Sequence, residues 1–185
     1  MISFATPAEW ETWLADSHAA AAGVWLKLAK KNSGVPSVTY AEAVEVALCY
    51  GWIDGQTKKV DDVYWVQRFT PRTARSKWSK INCGKATALI DRGAMKPAGL
   101  REVERAKADG RWEAAYDGQR TATIPDDLQT ALDGNVAARE FFSTLDSHNR
   151  YAILHRIADA KKAETRARRI EKFVSMLSRG EKIHL

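Results

Sequence analysis

The stretch YAEAVEVALCYG, residues 40–51, constrains the fold more than any other. Thr39, Tyr40, Ala41 and Glu42 read as a capping box, which starts a helix at this point. The helix is apolar nearly all round, so it must be enclosed by the rest of the chain. Its only charges, Glu42 and Glu45, lie three residues apart and share one face. Gly51 supplies the stop. A central buried helix needs a large wrapper. A chain of 185 residues supplies one, burying roughly 70% of its unfolded surface.

The wrapper before and after this helix reads as β-structure. Thr6-Pro7-Ala8-Glu9 is another capping box, with Pro at the first helical position, predicting a helix to about Ser17. Trp10, Trp13 and Leu14 fall on one of its faces. GVWLKLAKK then alternates, with Val24, Leu26 and Leu28 opposite Trp25, Lys27 and Ala29, as a strand does. WIDGQTKKV and VYWVQRFT read as a β-hairpin turning at Asp61-Asp62, with Pro71 stopping the pairing. From about Ser79 the pattern is helical, with turns or helix ends at Gly93, Gly110, Gly118, Gly134 and Gly180. Helices are predicted near 79–92, 97–109, 126–133, 136–146, 148–160 and 163–179. The expected class is α+β: a small antiparallel β-sheet around a central buried helix, followed by a helical C-terminal half. The turn-rich GQRTATIPDD suggests units of 1–117 and 118–185, packed together as one body.

The apolar fraction of 45% and charged fraction of 28% are those of a soluble globular protein. No run is long and apolar enough for a transmembrane segment. The N-terminus has neither a basic region nor a long apolar one, which predicts a cytoplasmic protein. Cys49 and Cys83 lack metal-site spacing and read as free thiols. The net charge of +6 is uneven. Residues 56–85 hold eight Lys/Arg against two Asp, and residues 159–185 hold eight against four Asp/Glu. Residues 1–55 and 86–158 are net acidic. A local basic patch can steer an anionic partner. The acidic segments count mildly against a broad nucleic-acid footprint, and a nucleic-acid-binding or protein-interaction module remains an alternative, the first needing the 56–85 and 159–185 patches on one face.

The search for reaction chemistry is mostly negative. No phosphate-binding glycine loop and no Gly-x-Ser-x-Gly turn occurs. The four histidines are scattered, and no metal or cofactor is expected. FTPRTARSKWSKIN is the suggestive string: Arg72, Lys80 and other cations surround Trp78, with Ser79 and Asn82 at a helix start. Such a start, with a hydroxyl and an arginine nearby, can hold an anion. The expected site is a cleft between the central helix and the hairpin. In it Arg72, Ser79 and Lys80 hold a small anionic ligand beside Asn82. Trp52 and Trp78 form apolar walls, and Glu45 and Asp54 orient the basic groups. Glu45 is expected to pair with Arg68, Arg72 or Lys58 of the hairpin. An alternative makes Glu45 and Asp54 an acid–base pair. The C-terminal AKKAETRARRIEKFVSMLSRG reads as an amphipathic helix, with Ala163, Ala167, Ile170, Val174 and Leu177 on one side. It docks on the body or meets a protein partner.

Together YAEAVEVALCYGWIDG, RFTPRTARSKWSKIN, GAMKPAG and AKKAETRARRIEKFVSMLSRG resemble the bacterial YdeI/OmpD-associated family, also called bacteriocin-protection proteins. The resemblance implies a part in tolerance of bacteriocins or cationic antimicrobial peptides and a link to an outer-membrane porin. It implies no established catalytic activity. It also implies a periplasmic location, from which this N-terminus departs.

Overall fold

The computed structural model describes residues 1–184. It divides into two compact units, residues 1–115 and the residues from Tyr116 on.

The first unit is α+β. Its elements are β1 (Ile2–Ser3), α1 (Pro7–Ser17), β2 (Val24–Ala29), α2 (Tyr40–Cys49), β3 (Trp52–Lys59), β4 (Tyr64–Pro71), α3 (Lys80–Asp91) and α4 (Pro97–Ala108). The sheet order is β1-β2-β4-β3. β2, β4 and β3 are antiparallel, but β1 runs parallel to β2, pairing Ile2 with Leu26. The sheet is therefore mixed and not wholly antiparallel. α1 carries the chain across to a parallel neighbour, and a two-residue strand is too short to show alternation in sequence.

Caps behave largely as the sequence implies. Around Thr39 both halves of the capping box form, and the two hydrogen bonds from Thr39 hold the Glu42 carboxyl below its ordinary range. At α1 the Thr6 hydroxyl accepts from Glu9 N–H, but the Glu9 carboxylate reaches Ala5 N–H at 2.8 Å, one residue early.

α2 packs its Ala43, Val44, Ala47, Leu48 and Cys49 into the core, while its first turn is exposed. Around it lie Trp10 and Leu14 of α1, Val24, Leu26 and Leu28 of β2, and Trp52, Phe69 and Trp78. Burying each such side chain contributes about 1.5–3 kcal/mol. Gly99 sets how closely α4 meets the end of α2, since a Cβ there would stand 2.4 Å from Cys49 O.

A fully buried polar residue sits on the core face of the sheet. Gln67 pairs with Leu26 across β2 and is 1% exposed. Its Nε2 donates to Gly55 O at 2.9 Å, where β3 is irregular between Asp54 and Thr57. The amide thus satisfies a backbone carbonyl that the bulge leaves out of the ladder.

The second unit is helical: α5 (Asp126–Asp133), α6 (Val136–Ser143), α7 (Ser147–Ala158) and α8 (Ala163–Ser178). Leu128, Leu132, Phe142, Ile153, Ile157 and Leu177 anchor its core. The buried stripe of α8 is Ile170, Phe173 and Leu177, whereas Ala163 and Ala167 are exposed. Asn149, 3% exposed, accepts from His184 N–H and donates to Asp146 and to His184 O. Cys49 and Cys83 are both free.

Candidate functional site

The segment from Arg72 to Asn82 is a tightly braced loop. Arg72 N–H donates to Gly51 O at 2.9 Å, tying the end of β4 to the turn after α2. The Arg72 guanidinium is buried, lies 3.6 Å over the Trp78 ring, and donates to Lys77 O at 3.0 Å. Trp78 packs on Trp112 at 4.9 Å. From the far side, Arg111 Nη1 donates to Ser76 O at 2.7 Å while its Nε engages the Asp109 carboxylate. That pairing, led by the Arg111 hydrogen bonds, holds Asp109 below the usual carboxylate range. Ser79 caps α3 by accepting from Asn82 N–H at 3.1 Å. Lys80, in the first turn of α3, is exposed. Cys83, one turn into α3, has its thiol pushed up by burial against an opposing pull from Arg72.

The structure therefore brings Arg72, Trp78, Ser79 and Asn82 together, with the guanidinium directed into the loop. The other expected residues have their own partners. Trp52 is buried edge-on to Trp13 and donates from Nε1 to His18 O at 3.2 Å. Asp54 accepts from the Tyr40 hydroxyl at 2.7 Å. Glu45 pairs with Arg92 at 3.1 Å and Lys85 at 3.8 Å. Lys85 lies on α3 and Arg92 is its C-cap, so the cations come from that helix and not from the hairpin as the sequence suggests, because this side of α2 faces α3.

Sequence reasoning passed over the opposite face of the sheet. There Trp25 stands across from Arg68, Lys27 and Lys58 both stand across from Val66, and Tyr64 stands across from Ala29. Trp25, Tyr64 and Val66 lie outside the hydrophobic core, which occupies the other face. Lys27 Nζ sits 3.7 Å over the Tyr64 ring. Lys58 and Arg68 flank Trp25 at 4.7 and 5.8 Å. Val66 is nonetheless 3% exposed, shielded by the long side chains around it. Gly23 makes room beside this row, since a Cβ there would stand 2.8 Å from Arg68 Nη2. The alternation in β2 and β4 carried the signal.

The second unit has an open groove of about 730 Å³ between α8 and the α5–α6 corner, floored by Ala131, Ala167, Ile170 and Val174. Arg166 makes a two-point pair with Asp127 at its edge, at 2.5 and 2.8 Å. Among the described residues, no three or more His, Cys, Asp or Glu are grouped to hold a metal ion, and no helix is long and apolar enough to cross a membrane.

The chain is thus a mixed-sheet α+β unit with a braced basic loop, joined to a four-helix unit. Residues 2–102 match a family described as Domain of unknown function (DUF8412), and the chain belongs to that family. Residues 121–180 match the family described as Bacteriocin-protection, YdeI or OmpD-Associated, as the C-terminal motif implies. The motifs at 40–55 and 68–82 fall within the first of these matches. No curated protein and no solved structure matches the chain.

Proposed function

We propose that the protein serves bacteriocin or antimicrobial-peptide tolerance as a binding protein, and that its partner is anionic and docks on the open face of the sheet. The tolerance role rests on the match over residues 121–180. The binding face rests on one observation: Lys27, Lys58 and Arg68 stand with two aromatic rings on a face where, among the described residues, none of the three makes a close ion pair with a carboxylate. Cations in a row without close ion pairs attract an extended anion. Small-molecule sites are concave and enclosing, so an open sheet face suits an extended partner better than a small ligand. Arg72 supports this division of labour, since its guanidinium braces its own loop.

Retention on immobilised heparin tests the reading. The wild type is expected to elute well above the salt that releases Lys27→Glu/Lys58→Glu/Arg68→Glu. Charge reversal at Arg168 and Arg169, on α8, serves as the control and leaves elution in place. Equal elution of the triple variant and the wild type would refute the proposed face.

A further inference from the structure

We infer that the anion taken by this face is a single-stranded nucleic acid, an inference that rests on the binding face proposed above. Three features select it. First, the two rings have a spacing that suits a strand. Trp25 and Tyr64 mark positions four residues apart along the β2–β4 ladder. That is about 13 Å at ~3.3 Å per residue. The Lys27–Val66–Lys58 row lies between them. Aromatic faces separated by cations let bases stack while phosphates meet ammonium and guanidinium groups.

Second, the cations that now cover the rings can be displaced. An exposed cation–π contact is worth about a two- to five-fold factor in a binding constant. Stacking one base on an aromatic ring is worth about five- to 150-fold. A phosphate that draws Lys27 from Tyr64, or Lys58 and Arg68 from Trp25, keeps the cation satisfied and frees the ring for the stronger contact. Paired bases in a duplex cannot reach the rings in this way, so the single strand is favoured.

Third, nearby carboxylates do not compete on the face. Asp54 stands across from Phe69 and meets Tyr40 on the α2 side. Asp61 folds back onto the N–H groups of Val63 and Tyr64 at 2.8 and 2.7 Å, and Asp62 pairs with Lys59. Asp61 still acts on Lys27 electrostatically, but its carboxylate is held at the hairpin tip by those two N–H groups. That same Asp61-Asp62 tip, between exposed Val60 and Val63, opposes insertion into an anionic membrane.

Fluorescence anisotropy with a labelled oligouridylate, run beside a duplex of equal length and vesicles of phosphatidylglycerol, tests the inference. The full chain is expected to bind the single strand at least tenfold more tightly than the duplex. The double-logarithmic salt slope should lie near about −2, as three cations on a single strand imply. Trp25→Leu/Tyr64→Leu is expected to lose at least tenfold in oligouridylate affinity while keeping its heparin elution. Lys27→Gln, which keeps both rings, should flatten the salt slope and serves if the aromatic pair fails to fold. Heparin retention without oligouridylate binding, tighter binding to duplex or vesicles, or a salt slope indifferent to Lys27→Gln would overturn the inference and leave the anion-binding face standing. Loss of heparin retention as well would remove both.

Discussion

Arg72 shows what a single buried cation can do for a loop. Its guanidinium lies 3.6 Å over Trp78 and donates to Lys77 O. A desolvated cation–π contact is worth about 2 kcal/mol, and leaving a buried carbonyl without its donor costs about 1–3 kcal/mol. Methionine would recover part of this through sulfur–aromatic contact, about 0.3–1.5 kcal/mol. Arg72→Met should therefore destabilise by about 2–4 kcal/mol, read as a fall of several degrees in Tm. A change below about 0.5 kcal/mol would show that the loop is braced by something else. The sequence marked Arg72 and Trp78 as unusual for good reason, since an Arg-rich string around a Trp is rarely idle. It could not show whether the guanidinium faces solvent or its own loop. Composition counts charges, but direction comes from the backbone, here from the Arg72 N–H to Gly51 O bond that turns the segment inward. Glu45 failed in the same way: its need for cations was legible, but their source in α3 depended on helix packing.

At the scale of elements, periodicity carried most of the fold. The expected β2, the hairpin and the helices of both halves match the observed ones within a few residues, because each has a full run of alternation or a cap to mark it. β1 escaped because two residues carry no period. The bulge in β3 also escaped, although Gln67 hinted at it: a glutamine between Trp65 and Phe69 breaks an otherwise apolar face. Gln67→Leu should leave Gly55 O without its donor and cost about 1–3 kcal/mol. Chemical denaturation checks this, and an unchanged midpoint would assign the carbonyl another partner. In the helical unit, the Arg166 hydrogen bonds hold Asp127 below the ordinary carboxylate range. Its folded value is thus lower than its unfolded one. The stabilisation is complete above the ordinary value, about 3.9, and is lost as pH falls through the lowered folded value. The pair is partly solvent-exposed, so its contribution is at most about 1 kcal/mol. Asp127→Asn should lower Tm slightly at pH 7, and the difference from wild type should close toward pH 2. A gap that persists at pH 2 would separate the effect from ionisation.

At the scale of the molecule, the two family matches each fall inside one structural unit: residues 2–102 within the first and 121–180 within the second. The first unit's core draws only on residues between Ile2 and Ala115, and the second draws on its own helices. Every group of the proposed anion-binding face, from Gly23 and Trp25 to Arg68, also belongs to the first unit. A body with its own closed core and complete sheet has what it needs to fold alone. A fragment of residues 1–115 should therefore unfold in one sigmoidal urea transition, with a slope of about 1–3 kcal/mol/M. It should also elute from heparin within the range set by the full chain and the Lys27→Glu/Lys58→Glu/Arg68→Glu variant, near the full chain. A gradual transition would mean that the helical unit completes the fold of the first. A cooperative transition with weak retention would mean that the cations of α8, Arg168 and Arg169 among them, carry the anion instead of the sheet. The paired measurement thus assigns folding and binding to one unit or to both.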